Sequence, residues 1–461
     1  VIVWFLLLSI SLLPPADAVA AAARDLASIA PERQAQIRYL ALPGGEAKDR
    51  QRNAQAIAFL LNSVSRTRTI TRPEPLDEQW QLLRIDLAAY ADFRQAATYH
   101  ELFQAWEQLV EIDPYFHLRT QVSTGVSVKT VTTDGGWTGL EAAARLKTLS
   151  RSFGAVLRAD YFVSQVGGPA YYAWAGVPPK EVDFFKLFGV DATVISNLSA
   201  DSAANLLHSG VTRKPRRIVE RPGVFGGVFQ TKDVDAESPD RDPLRNPVDF
   251  REQKFNFQAS EFFALGANHL WRVALYDGAG NRVDSVPDKV AKDFTGDGII
   301  RPLVSCLRCH ERNGGLAGLQ PFHDDQFDLL RFARLTSFVP EVAQRIAELY
   351  DSERLGTAMA RAREDYTLAV GLATGGLTPA AVTDILVQLY SGYVDEQVTP
   401  RQAEIELGLP GESLGKALAG STDPMLLALL AGKSINRAAW ESAFATAAVQ
   451  AETTRKRGIE P

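Results

Sequence analysis

The sequence predicts an α+β fold that is predominantly helical, with a mixed α/β segment over residues 19–321 and an all-helical segment over 322–461, behind a leader at 1–18. Three observations carry this expectation. Apolar residues recur at the helical period in both halves, strand-type runs with turn signals concentrate between residues 218 and 286, and after Pro321 only helix starts and helical stripes remain.

Residues 1–13 (VIVWFLLLSISLL) form an apolar run of signal-peptide length, too short to span a bilayer, and Pro14-Pro15 lead into Ala16-Asp17-Ala18, a small-x-small cleavage pattern. The expectation is export, with a basic n-region upstream of Val1, cleavage after Ala18 and no stable membrane span in the mature chain. From Asp49 the spacing of Ile57, Leu60, Leu61 and Val64 predicts a helix, and Leu82, Ile85 and Leu87 predict a short strand after the Pro73, Pro75 linker. Tyr99, Leu102, Phe103, Trp106, Leu109 and Val110 mark a second amphipathic helix. Residues 122–131 alternate small polar and β-branched side chains and predict a strand or hairpin, and residues 140–162 predict more helix. A hairpin is expected from residues 270–276, the turn Asp277-Gly278-Ala279-Gly280 and residues 282–286. Further on, Pro340 and Thr378-Pro379 open helices, and Thr399-Pro400-Arg401-Gln402 is a capping box with proline at the first helical position.

The chain has 461 residues, 46% of them hydrophobic, enough for a sizeable core and for two or three domains. A net charge of −6, from 49 basic and 55 acidic residues, is too mild to argue for nucleic acid or an anionic membrane surface. No internal repeat stands out.

The chain's two cysteines lie in Cys306-Leu307-Arg308-Cys309-His310, the spacing of a covalent haem-attachment motif. Thiols three residues apart on one helical turn face the same way and can form thioethers with two vinyl groups on one haem edge, while His310 supplies the proximal iron ligand. A zinc or iron-sulfur site normally needs four protein ligands, with more sulfur than this chain has. Half of such a site, completed by other residues, and a plain disulfide are the bland alternatives. One covalent haem c is therefore the expected cofactor. Export agrees with it, because c-type haem is attached on the far side of the bacterial inner membrane, which points to a periplasmic or otherwise exported bacterial protein.

At Leu60-Leu61-Asn62-Ser63-Val64-Ser65, Leu83-Arg84-Ile85-Asp86-Leu87, Leu157-Arg158-Ala159-Asp160-Tyr161-Phe162 and Ser209-Gly210-Val211-Thr212 the chain resembles a family of large secreted bacterial single-haem c-type cytochromes. Gly280-Asn281-Arg282-Val283-Asp284 and the Val304-Ser305-Cys306 approach to the motif are similar too. The resemblance covers roughly residues 50 to 320 and implies an exported cytochrome, with little about donor or acceptor. Two positions depart from it: Pro222 stands where the resemblance implies histidine after Glu220-Arg221, and Leu307 replaces methionine between the cysteines.

The iron's other face decides function, because a sixth protein ligand suits electron transfer and an open position suits ligand binding. Met359 and His323 are the distal candidates, with Met425 and His208 behind them; His100, His117 and His269 read as packed or exposed side chains. Met359 also belongs to an apolar helical stripe with Leu355, Ala362, Tyr366 and Val370, which favours a core role. His323 follows the Asn313-Gly314-Gly315-Leu316-Ala317-Gly318 loop, which can fold back over a haem. The basic cluster Arg213, Lys214, Arg216, Arg217 and Arg221 offers cations for haem propionates, Arg217 being the candidate, or for docking an acidic redox partner; a solvated loop is the bland reading.

Three lookalikes carry little. Gly411-Glu412-Ser413-Leu414-Gly415 matches a nucleophile elbow but has no buried strand before it, and Gly432-Lys433-Ser434 has Leu427 where a phosphate loop needs its first glycine. Asp293-Phe294-Thr295-Gly296-Asp297-Gly298 lacks the acidic spacing of a calcium loop. The sequence thus predicts a single-electron carrier serving a redox partner protein. Its rivals are a haem peroxidase or oxidase with an open iron position, and a haem-based sensor.

Overall fold

The computed structural model describes residues 15–91, 96–113, 139–191, 201–206, 214, 216–235, 238–243, 245–248, 255–285, 300–312, 338–407, 409 and 414–457. They form a mixed α and β fold in which helix outweighs strand, in two compact units that each draw on separate stretches of chain. The expected division near residue 322 falls outside the described residues.

The first unit takes residues 1–57, 72–165 and 388–461. Its N-terminal half holds α1 (Pro15–Ser28), α2 (Pro31–Gln34), β1 (Ile37–Ala41), most of α3 (Ala47–Val64), β2 (Glu74–Pro75), β3 (Leu82–Asp86), α4 (Ala96–Ile112), α5 (Gly139–Ser150), β4 (Val156–Arg158) and most of α6 (Ala159–Val166). The sheet order is β2-β3-β1-β4, with β1 antiparallel to β3 and parallel to β4. The expected Ala16-Asp17-Ala18 cleavage site lies in the first turn of α1, whose Ala22, Ala23 and Leu26 are buried with Leu146 of α5. Residues 140–162 are not continuous helix. Arg151 to Ala155 break it, Arg151 at φ 55, and Val156 and Leu157 become a buried strand beside β1. The hairpin expected at 122–131 lies outside the described residues.

The second unit takes residues 58–71 and 166–387, beginning with α7 (Tyr171–Ala175) and α8 (Glu181–Leu187). Its sheet is an antiparallel meander in chain order, β5 (Ser202–Leu206), β6 (Arg216–Gly223), β7 (Gly226–Lys232), β8 (Ala259–Leu265) and β9 (Trp271–Asp277). The expected hairpin is displaced: β9 pairs backwards with β8, and of the expected second strand the described residues 282–285 contribute the single bridge Tyr276↔Arg282. Gly280, at φ 73, makes the tight turn at 277–280 as expected.

Side chains alternate across this sheet, so its two faces separate cleanly. One face buries Ala203 and Val219 against Val342, Ile346, Leu349 and Tyr350. On the other, Phe263 and Trp271 meet edge to face at 5.8 Å, and Tyr366 packs on Trp271 at 5.5 Å. This second face also receives α9 (Val304–Arg312), the helix of the cysteine motif. The Leu60–Ser65 block has a structural task in this unit: Arg272 Nη1 donates to the Ser63 carbonyl at 2.9 Å, and Asn268 Nδ2 donates to the Asn62 carbonyl at 2.8 Å beside the Ser65 amide that this carbonyl also accepts, so side chains of the sheet cap the end of α3.

The described residues from 338 onward are helical apart from the two-residue strands β10 (Gln397–Val398) and β11 (Ile435–Asn436). α10 (Pro340–Leu349) and α12 (Pro379–Val394) open at the expected prolines, with α11 (Ser352–Thr374) between them. α13 (Pro400–Glu406) carries the complete capping box on Thr399 and Gln402. α14 (Leu414–Ala417), α15 (Pro424–Leu430) and α16 (Arg437–Arg457) complete the first unit. Gly432, at φ 80, ends α15, which accounts for the phosphate-loop lookalike. Within that unit Glu406 is the hub of a buried polar cluster, receiving Arg158 Nη1 at 2.9 Å, Arg437 Nη2 at 2.9 Å and the Trp440 indole at 2.6 Å. No single helix among the described residues is long and apolar enough to cross a membrane.

Candidate functional site

α9 has the sequence VSCLRCHER and holds Cys306, Cys309 and His310 within little more than one turn. Its start is pinned by the chain: Leu303, at φ 63, turns the backbone, and the Val304 amide donates to the Gly167 carbonyl at 3.1 Å. The Ser305 hydroxyl accepts from the Arg301 amide at 3.1 Å, tying the helix to the segment before it.

The helix lies on the sheet face defined by Glu261 and Phe263, two residues apart on β8. Cys306 is 3% exposed and its thiol donates to Glu261 Oε1 at 3.4 Å. Cys309 and His310 are half-buried, and the His310 ring tilts at 57° against Phe263, 4.5 Å between centroids. Glu311 accepts a hydrogen bond from the Tyr366 hydroxyl. Burial, reinforced by Glu261 and Cys309, pushes the Cys306 thiol well above its ordinary range. Burial, reinforced by Glu311, does the same to Tyr366. Both cysteines are free thiols.

The basic cluster does not act as one patch. Arg217 lies on the opposite face of the sheet, where its guanidinium donates to the Pro243 carbonyl at 3.3 Å and the Asn246 carbonyl and covers the Phe255 ring at 4.6 Å. That placement corrects the expectation that Arg217 serves the motif. Arg216, one residue earlier, is on the motif's side, 2.5 Å from Asp233 Oδ1. Burial works against its charge, but Asp233, with Glu261 and Cys309 further off, outweighs that and raises its pKa. Arg221 stands 3.6 Å from Asp201, Lys214 donates to the Asp235 carbonyl, and Arg213 is outside the described residues. The alternation of β6 is the signal that separates Arg216 from Arg217.

Met359 is buried in the core stripe of α11 with Leu355, Ala362, Tyr366 and Val370. His323, His208 and His117 lie outside the described residues, as do residues 293–298 and 411–413 of the calcium-loop and nucleophile-elbow lookalikes. Met425 is exposed on α15, His100 pairs with Gln104 at 2.9 Å on the surface, and His269 is half-exposed 3.5 Å from Asp365. Among the described residues no group of three or more His, Cys, Asp or Glu could hold a metal ion. Two thiols and an imidazole on one short helix, with an aromatic wall beside the imidazole, are a donor set that fits covalent haem. Compared with protein-family models, curated proteins and solved structures, the chain matches none.

Proposed function

We propose that the chain is an exported bacterial c-type cytochrome that carries one covalent haem and passes single electrons to or from a redox partner protein. The observation that carries this reading is α9, where both cysteines of the chain and His310 share one short helix at attachment spacing. In this reading Cys306 and Cys309 form the thioethers and His310 is the proximal ligand. When bound, the haem supplies a one-electron iron couple tuned by its ligands, its burial and nearby charge.

The chain's own residues have distinct tasks around it. Phe263 fixes the plane of the His310 ring, and Glu261 and Arg216 put opposite charges beside the attachment helix. Trp271 and Tyr366 keep the adjoining sheet face dry and aromatic. Met359 and His323 are the residues to substitute in search of the sixth ligand.

The test is expression with an export signal in a bacterium that has c-type haem attachment machinery. Wild type is expected to keep a haem stain on a denaturing gel and to give a reduced-minus-oxidised c-type spectrum, and Cys306→Ser with Cys309→Ser is expected to lose the stain. A wild-type band without covalent haem overturns the reading.

A further inference from the structure

The sheet face that receives α9 carries a second feature. A cavity of about 570 Å³ opens between the β6–β7 turn and the N-terminal half of α11, its lining including Glu220, Pro222, Gly227, Leu265, Ala358 and Ala362. Glu220 is 3% exposed. Its Oε2 accepts the Ser202 hydroxyl at 2.8 Å, whereas Oε1 accepts no hydrogen bond among the described residues. Oε1 lies over Gly227 on the cavity wall: a Cβ on that glycine would stand 2.9 Å from it and 2.8 Å from Phe229 Cζ.

The charges around the cavity favour a cation, since its lining holds the four carboxyl side chains of Glu220, Asp351, Glu353 and Asp365 and the two guanidiniums of Arg354 and Arg361. Several are already engaged. Asp351 caps α11 through the Arg354 amide at 3.0 Å, Arg354 donates to the Glu348 carbonyl, and Asp365 stands 3.5 Å from His269. A buried carboxylate with one oxygen unsatisfied, beside a sheet wall of Pro222, Gly227 and Leu265 and the small Ala358 and Ala362 of α11, suits a cation with an apolar body, the other charged side chains of the lining all belonging to α11 and its cap.

We propose that this cavity binds a small aliphatic amine, with its ammonium donating to Glu220 Oε1 and its carbon chain against Pro222, Leu265 and Ala362. The site is independent of the haem reading and uses none of the motif residues. Burial, with the Asp201 charge beside it, holds the Glu220 carboxyl up to about 7, against the downward pull of the Ser202 hydrogen bond and Arg354. An aliphatic ammonium keeps its charge to about pH 10. The amine therefore selects the ionised carboxylate, and affinity rises as pH rises through 7, with a proton released on binding below that.

The experiment is calorimetric titration of the full chain with n-butylamine at pH 6 and pH 8, with butyrate and 1-butanol as charge-reversed and neutral probes. Saturable butylammonium binding is expected, roughly tenfold tighter at pH 8 than at pH 6. At pH 6.5, buffers of different ionisation enthalpy should report the released proton. Glu220→Gln keeps an acceptor for Ser202 and should lose at least tenfold in affinity together with the pH dependence. Ala358→Leu fills the cavity from α11 and should abolish binding, and circular dichroism of both variants establishes that they fold. Butyrate binding as tightly as butylammonium, no butylammonium binding, or unchanged binding in either folded variant overturns the proposal.

Discussion

Glu261 and Cys306 meet across the contact between β8 and α9, with the thiol donating to Glu261 Oε1 at 3.4 Å. Burial, the Glu261 carboxylate and Cys309 all oppose ionisation of the thiol, which therefore stays protonated well above its ordinary pKa of 9.0. The folded chain keeps this proton where the unfolded chain releases it. The contribution to stability is fully present below about pH 9 and is lost as pH rises beyond it, by at most ~1.4 kcal/mol per unit. Urea midpoints of haem-free protein at pH 8, 9 and 10 should therefore fall more steeply for wild type than for Cys306→Ser. The buried tyrosines contribute to both proteins alike, so equal slopes would refute a protonated, buried Cys306.

Arg216 and Arg217 are neighbours in sequence on opposite faces of the sheet, and this separates their expected effects. Removing Arg216 takes one positive charge from the motif's side and leaves the Asp233 carboxylate without it, and this single loss of positive charge favours oxidised iron. In the haem-loaded protein, Arg216→Met should lower the reduction potential by an amount on the order of tens of millivolts, read by spectroelectrochemical titration. Arg217→Met should leave the potential nearly unchanged while lowering stability, because the Pro243 and Asn246 carbonyls lose their buried donor. Equal potential shifts in the two variants would remove Arg216 from the haem's surroundings.

The motif was legible because the chain has only two cysteines and both fall within five residues of each other, ending in histidine. Helix starts were legible for a local reason: Pro340, Pro379 and the Thr399–Gln402 box act on their own first turns. The face that receives the motif was not. Glu261 lies 45 residues before Cys306, and β8 (ASEFFAL) is buried on both faces, so it lacks the alternation that marks a half-exposed strand. β4 was hidden similarly, as three residues between two helices whose strand character comes from pairing with β1. The membership of the two units depends on such distant pairings and leaves no local trace.

Within the first unit, Glu406 should be among the most sensitive positions. Its side chain is 5% exposed and accepts from Arg158, Arg437 and Trp440, and Arg437 is itself 2% exposed. Glu406→Ala removes the acceptor shared by Arg158, Arg437 and Trp440 while Arg158 keeps Asp160 and Arg437 keeps Glu396, a change expected to cost about 1–3 kcal/mol. Glu406→Gln keeps the shape but removes the charge, and should cost less. Chemical denaturation of both variants distinguishes an ionic hub, in which Glu406→Gln also loses stability, from a side chain that merely fills space, for which Glu406→Gln would cost nothing.

Tyr366 joins the motif helix to the core of the second unit, and that double attachment makes its hydroxyl separable from its ring. The ring packs on Trp271 at 5.5 Å and on Phe59 at 6.4 Å, while the hydroxyl donates to Glu311, the residue after His310. Tyr366→Phe keeps the packing and strips the Glu311 carboxylate of this donor, a loss expected to cost about 1–3 kcal/mol. Tyr366→Ala also opens a cavity beneath the motif helix and should cost about 3–5 kcal/mol, as large aromatic truncations in cores do. The hydroxyl's share should report on α9 in particular: amide exchange along residues 304–312 should quicken in Tyr366→Phe more than in the strands. If exchange in α9 is unchanged while global stability falls, the Tyr366–Glu311 bond supports the core alone and does not hold the motif helix in place.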